Sequence, residues 1–170
     1  LAFFTQKTAN KIFYVSNLSQ KVFSNFISGQ LLEALIIGGM FLVAMAIFKF
    51  PYALLISLLI AVTSLVPIVG TFAGCILGAF LILVDSPIKA FWFIIMFLII
   101  QQIEGNLIYP HVVGKASGLP SIWILVAITV GGSMLGVIGI LLFIPIASIL
   151  YTLLRETVYY RLKQKNINKV

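Results

Sequence analysis

Hydrophobic residues run in long blocks along this chain, and polar residues gather at the ends of the blocks. Residues 6–29, QKTANKIFYVSNLSQKVFSNFISG, repeat with a helical period. At about 100° per residue, Ile12, Val15, Val22, Phe23 and Phe26 share one face, and Lys7, Asn10, Lys11, Lys21 and Asn25 lie opposite. The pattern predicts an amphipathic helix over residues 1–29, lying on the membrane interface or packed against a neighbouring subunit. A first span follows at about 30–50, with Glu33 near its start and Lys49 near its end. Within it, Gly38 and Gly39 would let a second helix approach closely.

Two later apolar stretches, 51–84 and 121–154, are too long for one ordinary span. Each is interrupted. Ser64, Pro67 and Gly70 break the first, and Gly131, Gly132, Gly136 and Gly139 break the second. A proline removes a backbone donor and clashes with the preceding turn. Two short helices around a break are expected in each: a tight hairpin, a re-entrant pair or a discontinuous span. Pro51 and Pro120 open the two stretches. Counting from them, Ser64 matches Ser133, Gly70 matches Gly139 and Pro67 falls opposite Gly136. Paired interrupted segments in two halves point to a transporter binding site. Between them Ser86 is placed to N-cap a span that has Pro87 in its first turn. That span is expected to end near 108, followed by a loop, YPHVVGKASGLP. The fold class is therefore all-α: a polytopic helical membrane protein with broken or re-entrant helices and an N-terminal amphipathic helix. It divides into residues 1–29, a transmembrane helical domain at 30–155 and a basic tail at 156–170.

Composition agrees with this solvent. The chain is 62% hydrophobic and 9% charged, with a mean hydropathy of +1.19. A soluble domain carries roughly 25% charged residues. The net charge of +7 does not indicate nucleic acid here. Arg155, Arg161, Lys163, Lys165 and Lys169 all lie beyond the last apolar block, as cytoplasmic flanks of membrane spans do. The C-terminus is read as cytoplasmic and the bilayer as the partner of these charges. Cys75 is the single cysteine and His111 the single histidine. A zinc-type metal site, a cofactor and hydrolytic chemistry are not expected. The chain starts at leucine with no signal peptide, so it reads as part of something longer.

The most polar stretch is LIIQQIEGNLIYPHVVGK, residues 98–115. Gln101, Gln102, Glu104 and Asn106 cover a broad arc at the end of a greasy helix. An interfacial end cap is one reading. The lining of a permeation path is the other, and ionisable residues inside a membrane default to it. Glu33 is a second acidic candidate, and Thr63 and Ser64 stand beside a break where hydroxyls would meet a solute or an ion.

Four stretches resemble the C-terminal half of the autoinducer-2 exporter family: SGQLLEALIIGG, SLVPIVG, QQIEGNLIYPHVVGKASGL and GGSMLGVIGILLFIPIASIL. Their order and spacing fit over about residues 28–155. Thr71 departs from the proline frequent after VPIVG. Leu119-Pro120-Ser121 departs from the usual His-Pro, so no role is carried over for that histidine. The resemblance implies a bacterial inner-membrane protein about twice this length, acting as a homo-oligomer. Some members are linked to export of the signal autoinducer-2, and others are described as sodium/proton antiporters. Three functions are therefore expected as alternatives: efflux of a small polar solute, Na⁺/H⁺ antiport centred on Glu104, and a membrane scaffold without transport.

Overall fold

A computed structural model describes residues 6–114 and 118–164. The described residues are helical apart from short connections: α1 (Gln6–Ile47), α2 (Ala53–Thr63), α3 (Val69–Asp85), α4 (Pro87–Ile103) and α5 (Ser121–Gln164). They fall into two compact units, one of residues 1–26 with 117–170, the other of residues 27–116. Three stretches are long and apolar enough to cross a membrane: Ala9–Ile47, Pro87–Gly114 and Ile122–Tyr159.

Helix α1 runs unbroken through residue 29, so the amphipathic stretch and the first span share one helix. In the amphipathic part Val22 and Phe26 are buried, whereas Ile12 and Val15 are exposed. The helix ends on a Schellman motif. Phe50 N–H donates to the Met45 carbonyl at 2.9 Å and Lys49 N–H to the Ala46 carbonyl at 3.2 Å. Lys49 takes the left-handed position at φ 52°, which is more often glycine.

Both overlong segments are helical hairpins. In the first, α2 and α3 pack antiparallel. A Cβ on Gly70 would sit 1.7 Å from the Thr63 carbonyl oxygen, and one on Gly78 would sit 2.7 Å from the Ile56 side chain. At about 16 Å, the 11-residue α2 is too short to cross a core of roughly 30 Å. The two helices thus double back on each other. In the second, α5 is helical at both ends but reverses at Gly136, with φ 61° and ψ −137°. A Cβ on Gly139 would lie 1.9 Å from the Gly131 carbonyl oxygen. Trp123 and Tyr151 then meet across the arms at 6.5 Å between ring centroids. Ile122–Tyr159 is accordingly two arms and not one rod. Of the paired glycines in α1, Gly38 makes the close approach, a Cβ there falling 2.6 Å from Ala61 Cβ. Gly39 would have open space.

The span after Pro87 differs from expectation at both ends. Ser86 holds the N-cap place with an extended backbone, but its side chain makes no capping hydrogen bond. At the other end the helix does not stop near 108. It continues as two π-helical turns, Glu104–Ile108 and Pro110–Gly114. A proline in an α-helix clashes with the carbonyl four residues back, and a wider turn relieves that clash. Pro110 and the wide turns therefore occur together.

In the unit of residues 27–116 the apolar core joins Ile37, Phe41 and Met45 of α1, Ile56 and Ile60 of α2, Cys75 and Ile82 of α3, and Phe93, Phe97 and Ile100 of α4. Phe41 and Phe97 stack at 5.7 Å and Phe72 meets Phe97 edge-on at 5.5 Å. In the other unit Val22, Phe26, Ile124, Ile140 and Ile144 are buried. There the Tyr14 hydroxyl donates to Glu156, tying α1 to the distal arm of α5.

Candidate functional site

Above the apolar core of the 27–116 unit lies a closed polar cluster. Glu33 on α1 is 2% exposed and Glu104, at the start of the π-helical turns, is 5% exposed. The two carboxyl groups face each other within electrostatic reach. Gln101 donates its side-chain amide to Glu104 from one turn earlier. Gln30, one turn before Glu33 and 4% exposed, donates to Glu33 Oε2 at 2.7 Å and to the Ser64 carbonyl at 3.0 Å. That carbonyl is free to accept because the break after Thr63 ends α2.

Two buried atoms of this region have no protein partner: Gln30 Oε1 and the Tyr109 hydroxyl. Buried polar groups are nearly always satisfied, so each such atom calls for an explanation, and an unseen water or guest supplies one. Tyr109 reaches the cluster through the wide turn. On an α-helix it would stand about 140° around the axis from Glu104. Here Tyr109 N–H donates to the Glu104 carbonyl, five residues back, so the two residues stack on one side.

The candidates named from sequence separate into two groups. Glu33, Glu104, Gln101 and Ser64 come together. Thr63 sits beside them half-buried, but its hydroxyl bonds to the Leu59 and Ile60 carbonyls of its own helix at 2.9 and 3.1 Å. The Ser64 hydroxyl likewise bonds back to Ala61 at 2.9 Å, so Ser64 serves the cluster through its backbone. Gln102 and Asn106 are exposed on the outer face and do not join. Of the candidate hinge residues, Pro67 and Gly70 lie at the turn beside the cluster, and Gly131, Gly132, Gly136 and Gly139 form the turn and crossing of the α5 hairpin. Sequence reasoning missed Gln30 and Tyr109. The signal for Gln30 was its place one turn ahead of Glu33. No signal marked Tyr109, because only the π-helical geometry brings it round.

Glu104 follows the last residue of α4 and lies ten residues before the end of the Pro87–Gly114 stretch. The arrangement is a buried cluster of oxygen acceptors and amide donors among apolar helices. It is suited to a small guest that both donates and accepts hydrogen bonds, or to a cation.

A family model described as "AI-2E family transporter" matches residues 1–159. Three relatives carry the name "Putative transport protein". YueF of Bacillus subtilis is 34% identical over 73% of this chain and 34% of its own length. YrrI of the same organism is 32% identical over 74% of this chain and 36% of its own. The Synechocystis protein sll0063 is 30% identical over 78% and 33%. The chain thus spans about a third of the length of the curated relatives it matches. No solved structure matches. The chain belongs to the AI-2E transporter family.

Proposed function

We propose that this member of the AI-2E family is the part of a multi-pass inner-membrane permease that holds a small polar solute during its export, autoinducer-2 being the candidate solute. The observation that carries the proposal is the buried cluster of Glu33, Glu104, Gln101, Gln30 and the Ser64 carbonyl. A desolvated set of charged and amide groups is costly at membrane depth and is retained where it serves a path. The two orphaned atoms, Gln30 Oε1 and the Tyr109 hydroxyl, are where the guest adds its own hydrogen bonds. The breaks at Pro67 and Gly136 are the hinges, since irregular backbone at that depth belongs beside protein or a water-filled cavity. Action as a homo-oligomer with a cytoplasmic C-terminus belongs to the same proposal. Lys165 and Lys169 of the basic tail lie outside the described residues.

A second reading has one observation in its favour. Two carboxyl groups buried side by side are also a site where H⁺ could leave as Na⁺ arrives, which is the core of an antiport cycle. Vesicles containing the full-length protein separate the readings. They are loaded with autoinducer-2 and a pH-sensitive dye, and compared with vesicles of Glu104→Gln. Solute efflux lost in the variant, with no cation-driven pH change in either protein, is the expected result. A sodium-driven pH change abolished by the substitution would replace the first reading by antiport. Absence of both fluxes in the full-length protein would overturn both and leave an assembly role.

A further inference from the structure

Between the C-terminal end of α1 and α4 of the 27–116 unit, a groove of about 620 Å³ opens. Ala44, Phe48, Phe50, Trp92 and Ile100 are among its walls, and Lys89 is its only charged lining residue. Phe48 and Phe50 lie 6.4 Å apart, and Phe50 meets Phe93 edge-on at 6.1 Å, so one wall is a fixed aromatic stack. Ala44 is the small residue that leaves the groove its depth.

Two features say what fills it. The first is length. From Lys89 to Ile100 the wall formed by α4 extends about 16 Å at ~1.5 Å per residue. That is close to half of a hydrocarbon core of roughly 30 Å, hence one leaflet. The second is charge. Lys89 stands at the outer end, and Lys49 is exposed between the two groove phenylalanines. Asp85 lies 3.8 Å from Lys89, but both side chains are near half exposed, and such pairs are weak and easily exchanged. Trp92 follows Lys89 by one turn, the depth at which tryptophan favours the headgroup boundary.

We propose that this groove is a binding site for an anionic phospholipid. One acyl chain lies along α4 from Trp92 to Ile100, and the phosphate sits at Lys89 with Lys49 beside it. The site is separate from the carboxyl cluster and does not depend on what that cluster carries.

The test uses the full-length protein in mild detergent, given phosphatidylglycerol and phosphatidylcholine of matched acyl chains, with retained lipid read by native mass spectrometry. The expected result is one retained phosphatidylglycerol per chain in preference to phosphatidylcholine. Lys89→Gln lowers that preference by about five-fold, the worth of one lysine at an anionic surface. Ala44→Phe fills the groove and removes the retained lipid with the helical circular dichroism unchanged. Should that variant not fold, Lys89→Gln carries the test alone, since the residue is outside the core. Retention without headgroup preference, or retention untouched by a folded Ala44→Phe, overturns the proposal. So does the absence of any retained lipid, which would mean that another part of the full-length protein fills the groove.

Discussion

Ile68 stands at the turn of the α2–α3 hairpin and Gly136 at the turn of the α5 hairpin. Both take positive φ, 65° and 61°. For Gly136, with ψ −137°, the conformation is one that glycine reaches freely. For Ile68, with ψ −63°, it is the rare positive-φ γ-turn, closed by Val69 N–H on the Pro67 carbonyl at 2.7 Å. A β-branched residue pays for that place in strain, about 1–3 kcal/mol. The strained turn is the one next to the buried carboxyls. Among the described residues no buried ionisable group lies beside the relaxed turn, and the matching Ser133 there is exposed, with its hydroxyl donating to the Val130 carbonyl of its own helix at 2.8 Å. Strain held beside the polar cluster and absent from its counterpart supports the proposal that the first hairpin carries the solute site and that the second supplies the same shape without it.

The widest test of the comparison lies where the hairpins agree. Gly70→Ala and Gly139→Ala would each drive a Cβ into a backbone carbonyl, at 1.7 and 1.9 Å. Each is expected to cost about 3 kcal/mol or more, read as a fall in the denaturation midpoint of the full-length protein. If only one of the two responds, the hairpins are not alike.

Next come the substitutions that should affect one hairpin alone. Gln30→Leu leaves the Ser64 carbonyl and Glu33 without their donor, and the expected loss is about 2 kcal/mol. Ser133→Ala at the second hairpin should change the midpoint by less than about 0.5 kcal/mol. Gly136→Ala introduces a side chain at a glycine conformation, with an expected loss of about 1–2 kcal/mol. Ile68→Gly runs the other way. Relief of strain, less the extra freedom of an unfolded glycine, gives a gain of about 1 kcal/mol. A loss at Ile68→Gly would mean that the isoleucine side chain holds the turn and that no strain is stored there.

Much of the fold was legible because hydropathy in long blocks has few solutions. The spans and the interrupted segments followed from block length, and the breaks near Pro67 and at Gly136 from proline and glycine. The hairpin geometry did not, since a broken span, a re-entrant pair and a hairpin share one pattern of apolar residues. At the site, Glu33 and Glu104 were visible as charges in oil, but their contact was not. It depends on how α1 meets α4, which no local pattern encodes. Gln102 and Asn106 fall outside the cluster, since residue type alone does not say which face turns inward. Tyr109 was hidden by the assumption of 100° per residue, which fails in the π-helical turns around Pro110.

The central claim is that Glu33 and Glu104 act as one unit. Its most direct test is a double-mutant cycle on solute efflux from vesicles of the full-length protein, using Glu33→Gln, Glu104→Gln and both together. Groups that act as a unit are strongly non-additive. The double variant should therefore be no slower than the slower single variant, with both singles at least about ten-fold below wild type, a rise of ~1.4 kcal/mol in the barrier. Two effects that simply multiply, or two singles that transport as the wild type does, would contradict it.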